Sequence, residues 1–246
     1  MFMKRINKHV ATLLLSAVFI APTLNISSAM ELNSSDSGLV SFNLASKDAN
    51  MSEVMTYDEM VEEISKDNNI SRDEAINILG PEPLVSYDEA VKDIAENKNI
   101  SINAAKKLID PKSIKQTKSG AQVRASYRTF TQYITVSSAY KPQLKWYCET
   151  SEGGGYCGIK KIKNTSLNRN YRGNVRQFKG SIYTNLEDSN TIFYRVNGDF
   201  TTGGNTSVTG GGEIALKKGV TLNFSITGNP GTSIYVHKDG RYRVHG

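Results

Sequence analysis

Apolar and polar residues alternate along the C-terminal half of the chain. From Tyr127 onward the apolar positions recur every second residue, as where Leu144 and Trp146 flank Lys145. This spacing is typical of β-strands with one buried face, and the Gly- and Asn-rich segments between the runs are typical of turns. Roughly eight or nine short strands therefore predict an antiparallel β-sandwich over residues 127–246.

The preceding region contains an internal duplication with a helical period. Residues 56–81 and 86–111 align at an offset of 30 residues throughout. Within the first unit Met60, Val61 and Ile64 fall on one face of a helix, and the matching positions of the second unit are apolar as well. Each unit therefore predicts short helices that bury a shared apolar stripe.

The start signals of these helices are explicit. Thr56, Ser71 and Ser86 are each followed three residues later by Glu, which is the pattern of a capping box. Ser101 keeps the capping hydroxyl although Ala104 replaces the Glu. We therefore predict two helices in each unit, that is, duplicated helix-turn-helix pairs.

The N-terminus has the pattern of a secretory signal peptide. Three basic residues precede an apolar run over residues 10–24, and Ser27 and Ala29 occupy the small-residue positions of a cleavage site. The run is shorter than the roughly 20 residues that span a bilayer. We therefore expect residues 1–29 to be removed and the protein to be secreted.

Two tight turns and one disulfide are predicted in the strand region. Residues 152–155, with the sequence EGGG, predict a hairpin, and Asp239-Gly240 predicts a type I′ turn in the last hairpin. Cys148 and Cys157, the only two cysteines, flank the first turn. Because thiols pair readily outside the cytoplasm, we expect a disulfide that contributes about 2–3 kcal/mol.

These patterns combine into an α+β multidomain fold, with N-terminal duplicated helix-turn-helix pairs and a C-terminal antiparallel β-sandwich. The predicted segments are a signal peptide (1–29), a disordered stretch (30–55), an acidic tandem helical repeat (56–111), a linker open to proteases (112–126) and a basic β-sandwich (127–246).

Charge is divided sharply between the two halves. Residues 30–114 hold 8 Lys and Arg against 17 Asp and Glu, a net charge of −9, whereas residues 115–246 hold 19 against 7, a net charge of +12. The acidic helices are unsuited to nucleic acid, because phosphate contacts require cations. The basic half indicates an anionic partner, and contact between the two segments is a further expectation.

The densest basic stretch is the candidate binding site. Its basic residues are interleaved with aromatic residues that suit stacking on sugars, although lysines on an edge strand also serve only to prevent edge pairing. The candidate binding residues are Lys160, Lys161, Lys163, Arg169, Arg172, Arg176, Trp146 and Tyr147.

Motifs for catalysis, metals and cofactors are missing from the sequence. No nucleophile elbow, zinc-protease motif or Cys–His pair is recognisable, and His237 and His245 stand outside any motif. We therefore predict neither an enzyme nor a bound cofactor. A glycosidase using two carboxylates stays open as an alternative, and its candidate residues are Glu149, Glu152, Glu187, Asp188, Asp199, Glu213 and Asp239.

Part of the strand region resembles a known group of sequences. Residues 137–152 (SSAYKPQLKWYCETSE), 158–162 (GIKKI), 183–188 (YTNLED), 196–200 (VNGDF) and 206–211 (TSVTGG) carry the resemblance. They are similar to small, uncharacterised secreted proteins of Bacillus- and Clostridium-type bacteria, over about residues 127–224. The resemblance implies secretion and a β domain, and it assigns no functional residues.

The sequence as a whole predicts a secreted, non-enzymatic binding protein. Its cationic β-sandwich is expected to engage an anionic cell-wall polymer, a polysaccharide or a membrane surface, and the acidic helices are expected to cover it as a pro-segment. The alternatives are an antibacterial or pore-forming toxin released by cleavage, a secreted glycan hydrolase, and a structural protein of a biofilm or spore surface.

Overall fold

The computed structural model describes residues 49–109, 111, 114–117 and 120–244. The predicted signal peptide, and residues 30–48 of the predicted disordered stretch, lie outside the described residues. The elements in chain order are β1 (Ala49–Met51), α1 (Tyr57–Asn68), α2 (Arg72–Leu79), β2 (Leu84–Ser86), α3 (Tyr87–Lys98), α4 (Ile102–Lys106), β3 (Ile114–Thr117), β4 (Gly120–Arg124), β5 (Ser126–Tyr133), β6 (Gln143–Gly153), β7 (Tyr156–Asn168), β8 (Asn170–Tyr171), β9 (Asn174–Val175), β10 (Gln177–Asp188), β11 (Thr191–Thr201), β12 (Asn205–Gly210), β13 (Ile214–Ala215), β14 (Gly219–Thr227) and β15 (Ser233–Arg243).

Two five-stranded antiparallel sheets make up the larger part of the described chain. The first sheet has the order β1-β5-β6-β7-β13, and the second has the order β12-β14-β10-β11-β15. Phe130, Leu144 and Trp146 of the first sheet share one buried cluster with Phe178 and Ile182 of the second. The alternation of apolar residues thus gives each sheet a face that is buried against the other, which is consistent with the predicted β-sandwich.

The helices pack against strands rather than only against one another. α1 and α2 share a buried cluster with Tyr127 of β5 and Tyr147 of β6. α3 and α4 share another cluster with Ile114 and Val123, which belong to a small third sheet of order β2-β4-β3. The first sheet is therefore covered on both faces, by the second sheet and by helices.

The predicted fold class is wrong. The described residues are mostly β, with 54% strand, 20% helix and four helices among them, and this composition does not fit an α+β chain with duplicated helix-turn-helix pairs. The four helices and both large sheets belong to a single unit. The physical reason is that α1–α4 are too short to bury their apolar stripes alone, so strands complete their cores.

The capping residues predicted at the helix starts are confirmed. Thr56 and Ser71 form complete capping boxes with Glu59 and Glu74, as predicted. At Ser86 the hydroxyl accepts the backbone N–H of Glu89, but a reciprocal bond from the Glu89 side chain is not formed. These contacts depend on neighbours three residues apart, which is why sequence alone predicts them.

Paired strands occupy the segment that was predicted as a linker. β3 and β4 form a hairpin, and β4 also pairs with β2, so that Val123 lies opposite both Ile114 and Val85. The segment between the helices and the sandwich is therefore part of a sheet, over the residues that are described there.

The two predicted turns have different outcomes. The hairpin at residues 152–155 is confirmed, since Gly153 pairs with Tyr156 across the turn. The turn at Asp239-Gly240 is wrong, because β15 runs through both residues and pairs with β11 along its whole length. A Cβ atom at Gly240 would collide with the ring of Tyr194, so this glycine serves the packing of an aromatic ring.

The predicted disulfide is also wrong, because Cys148 and Cys157 are both free, buried thiols. In the β6–β7 ladder Cys148 lies opposite Ile162, whereas Cys157 lies opposite Glu152. Four residues of strand separate the two cysteine positions, a rise of about 13 Å. A disulfide needs Cα atoms roughly 4–7 Å apart, so the register of the hairpin prevents the bond.

Candidate anion-binding site

Acidic side chains neutralise the lysines of the predicted basic patch. Lys160 Nζ lies 2.9 Å from an oxygen of Asp93, on α3, and 3.9 Å from an oxygen of Glu149. Lys161 Nζ lies 3.0 Å from Glu213, which also bonds Lys163. These three lysines therefore do not form an open cationic surface.

Glu213 is the counter-ion that holds two of these lysines. Burial favours its protonated form, but hydrogen bonds and charge from Lys163 and Lys161 outweigh burial and lower the pKa of Glu213. The same hydrogen bond raises the pKa of Lys161. The Glu213 carboxylate and the Lys161 ammonium group thus stabilise each other in their charged forms.

A similar ion pair ties the first helix to the sheet. Lys145 Nζ, on β6, lies 3.0 Å from Glu63 and 2.5 Å from Asp67, both on α1. Burial alone would lower the pKa of Lys145, but its bonds to Asp67 and Glu63 raise it.

Trp146 and Tyr147, predicted to stack on sugars, are both fully buried. Trp146 lies in the sandwich core, where its Nε1 donates a hydrogen bond of 3.2 Å to Thr184. Tyr147 lies under the first helix pair and donates to Asp67 over 2.9 Å. Neither ring is accessible, because the first sheet has no uncovered face at β6.

The three predicted arginines lie in a different environment, on and beside the short β8–β9 hairpin. This hairpin lies next to the loop between β5 and β6. The ring of Tyr171 lies 6.2 Å from that of Tyr133 and 6.5 Å from that of Tyr140, both edge-on. The guanidinium of Arg172 lies 5.2 Å from the Tyr171 centroid, and that of Arg176 lies 5.5 Å from the Tyr140 centroid. We call Tyr133, Tyr140, Tyr171, Arg169, Arg172 and Arg176 the Arg–Tyr cluster.

The backbone of the β8–β9 hairpin presents Arg172 at its tip. Arg172 and Gly173 both have positive φ, 53° and 81°, as the central residues of a type I′ turn do. Asn170 accepts the N–H of Gly173 over 3.0 Å and fixes this turn. A residue with a long side chain is uncommon in the left-handed region, and such positions are often functional.

The arginines of the Arg–Tyr cluster have no carboxylate within salt-bridge distance in the described part of the chain. Arg169 instead donates to the neutral side chains of Gln177 and Thr206. Desolvation lowers the pKa of Arg169, and burial raises the pKa of Tyr140 to about 12. Half-buried cations with only neutral neighbours are costly, and an anionic ligand would relieve that cost.

Within the cluster, Arg176 has buried hydrogen-bond donors without an acceptor. Its Nε and Nη1 atoms are buried, and neither has a hydrogen-bond partner in the structure. Buried donors are nearly always paired in folded proteins, so an unpaired guanidinium indicates a missing acceptor. Guanidinium donors match carboxylate and phosphate oxygens, which fit two parallel N–H groups.

A groove of about 700 Å³ extends from the Arg–Tyr cluster. Its lining includes Arg169, Asn77 and Ile78 of α2, Val208 of β12 and Leu222 of β14. The groove exists because β13 pairs with β7 only at Lys161 and Ile162, which leaves the rest of that edge of β7 without a neighbouring strand in the described residues.

The glycosidase alternative requires free carboxylates, but most of the candidate carboxylates already form ion pairs or hydrogen bonds. Arg128 bonds both oxygens of Glu152, over 2.8 and 3.1 Å, and Lys160 is the cation nearest to Glu149. These two glutamates line a second cavity of about 390 Å³ under α3. The other pairings are those of Glu187 with Arg241, Asp239 with Arg195, and Glu213 with Lys161 and Lys163, while Asp199 accepts the hydroxyl of Ser233.

Sequence reasoning missed the tyrosines of the Arg–Tyr cluster. Tyr133 and Tyr140 flank one loop, and Tyr171 comes about thirty residues later on the hairpin that folds back beside it. The only sequence signal was Arg172-Gly173, a Gly-containing turn flanked by asparagines. The predicted binding residues therefore fall into two groups. The three lysines are ion-paired and Trp146 and Tyr147 are buried, whereas the three arginines form a cluster with tyrosines that the sequence did not indicate.

Comparison with known proteins assigns no family. No family model matches the chain, and no curated protein or solved structure matches it either. The resemblance to secreted bacterial proteins therefore stays a prediction. Among the described residues, no helix has the length and apolar character required to cross a bilayer, and His, Cys, Asp and Glu form no metal-binding group there.

Proposed function

We propose that this protein is a secreted, non-enzymatic binding protein that holds an anionic polymer through the Arg–Tyr cluster. One observation carries the proposal: Arg172 and Arg176 lie over tyrosine rings without a carboxylate partner among the described residues, whereas the lysines of the same region are ion-paired. Arginine suits this role because its planar donors bind carboxylate or phosphate oxygens and also stack on aromatic rings.

The intact chain is the form that we propose to be active. Release of the sandwich by cleavage would remove the helices that bury Tyr127 and Tyr147 and would leave Lys145 without Glu63 and Asp67. The Arg–Tyr cluster lies on strands and loops that do not contact those helices through any of the ion pairs described above. Binding therefore requires no processing step, and this favours a binding protein over a toxin released by cleavage.

The test compares two double variants that lose the same charge. Arg172→Ala with Arg176→Ala removes the proposed site, and Lys217→Ala with Lys218→Ala removes two exposed cations from the turn between β13 and β14. The probes are polygalacturonate, poly-L-glutamate and vesicles containing an anionic phospholipid, each titrated at low salt. We expect the arginine variant to bind at least one probe about tenfold more weakly or worse, because charge-assisted hydrogen bonds contribute roughly 1.5–3 kcal/mol each.

The lysine variant should bind within about twofold of the wild type, because screened, solvated charges contribute little. Equal losses in both variants would mean that net charge alone drives binding and would contradict the proposal. Absence of binding of the wild type to every probe would contradict it as well.

A further inference from the structure

We propose that the groove beside the Arg–Tyr cluster binds sugar rings, so that the anionic polymer is an acidic polysaccharide. This inference rests on the proposed function and specifies its ligand. Arg169 connects the two sites, because its backbone oxygen accepts the hydroxyl of Tyr140 over 2.8 Å while the residue also lines the groove. An acidic group bound at the cluster would therefore place the adjoining unit of the polymer at the mouth of the groove.

The walls of the groove present groups that both donate and accept hydrogen bonds. The side chain of Asn77 is exposed on α2 and makes no hydrogen bond with a described residue. Asn164 accepts the N–H of Thr165 through its oxygen, over 2.9 Å, which leaves its NH₂ group for a ligand. Sugar hydroxyls are donors and acceptors at once, so the carboxamides of two different elements in one groove suit them.

Unsatisfied polar and exposed apolar groups complete the groove. The buried hydroxyl of Thr165 has no hydrogen-bond partner in the structure. Val208 of β12 is 53% exposed and Ile78 of α2 is 38% exposed, and both line the groove. Apolar walls with a few polar groups are typical of small-ligand sites of this volume, and the C–H faces of sugar rings pack on such walls.

The experiment compares two polycarboxylates that differ in their backbones. Polygalacturonate carries its carboxylates on sugar rings, whereas poly-L-glutamate carries them on a peptide. Val208→Trp fills the groove from an exposed position, and Leu216→Trp, at a residue 47% exposed outside the groove, is the matched control. Asn77→Ala removes one carboxamide from an exposed helix position.

We expect Val208→Trp to weaken polygalacturonate binding about tenfold or more while poly-L-glutamate binding stays within twofold. Asn77→Ala should weaken polygalacturonate binding about threefold, and Leu216→Trp should change neither. Equal effects on the two polymers, or no effect of Val208→Trp on polygalacturonate, would overturn the sugar-binding groove and leave the anion site intact. Binding of the wild type to vesicles but to neither polymer would overturn the inference and assign the anion site to lipid. Binding to none of the probes would overturn the inference together with the proposed function.

Discussion

Tyr147 joins strand β6 to helix α1 through a single buried hydroxyl. It donates to Asp67 over 2.9 Å and lies 3.1 Å from the hydroxyl of Ser166, and burial raises its pKa. Tyr147→Phe keeps the shape of the ring but removes one donor from Asp67, which keeps its bond to Lys145, and removes the hydroxyl partner of Ser166. We expect the free energy of unfolding, measured by urea denaturation, to fall by about 1–2 kcal/mol.

Tyr235 offers a matched control for this substitution. Its hydroxyl donates to Asn197 over 2.7 Å, but the residue is 62% exposed. Water replaces the lost partner there, so Tyr235→Phe should change the free energy of unfolding by less than about 0.5 kcal/mol. Equal effects of the two substitutions would show that burial does not set the contribution of these hydroxyls.

The buried state of Trp146 and Tyr147 marks a limit of sequence reasoning at single residues. Alternation along β6 correctly separates the two side chains onto opposite faces of a strand. It cannot tell which face meets solvent, because that depends on helices that lie about eighty residues earlier in the chain. In the sequence, a strand that is covered on both faces therefore has the same pattern as a half-buried strand with aromatic residues on its exposed face.

Helices α1 and α3 are each tied to the first sheet by one lysine. Lys145 bonds Glu63 and Asp67 of α1, and Lys160 bonds Asp93 of α3. Lys145→Met should speed amide hydrogen exchange in α1 about tenfold while that of α3 stays unchanged. The reason is that two partly buried carboxylates on α1 lose their counter-ion when the helix is docked.

Lys160→Met is the reciprocal variant, and it should speed exchange in α3 but leave α1 unchanged. The expected effect is smaller, because Lys160 is more exposed than Lys145, 23% against 13%, and bonds one carboxylate of its helix instead of two. If each substitution accelerated both helices equally, the helices would open as one unit and the separate roles of the two lysines would be refuted.

Elements were predicted well where their causes are local. The capping hydroxyls of Thr56 and Ser71, and the glycines of the β6–β7 turn, act on residues within a few positions. The Asp239-Gly240 turn was mispredicted because the same dipeptide is compatible with a strand when a distant ring, that of Tyr194, occupies the space of a side chain. The disulfide failed for a related reason, since strand register is a property of the ladder.

At the scale of the whole molecule, the division of charge has two structural consequences. Carboxylates of the acidic helices meet lysines on the first sheet, and Glu213 meets two more. Arg169, Arg172 and Arg176 have no carboxylate partner among the described residues, and they gather with tyrosines around the β8–β9 hairpin. The net charge of +12 therefore overstates the positive charge that is open to a partner, because internal ion pairs neutralise part of it.

Acid should destabilise the fold for the same electrostatic reason. Hydrogen bonds lower the pKa of Glu59, Glu74 and Asp239, and Lys163 and Lys161 lower that of Glu213 against the effect of burial. A carboxylate with a lower pKa in the folded state stabilises that state above its unfolded pKa, about 4.5 for Glu, and loses the contribution as pH falls through the folded value. The urea midpoint should therefore be steady at neutral pH and should fall steeply below about pH 4.5.

Glu213→Gln should lower the midpoint at pH 7 and flatten its acid limb, whereas Glu96→Gln, at an exposed position on α3, should leave the curve unchanged. An acid limb of the same steepness in Glu213→Gln would mean that the Glu213 ion pairs do not contribute to the pH dependence.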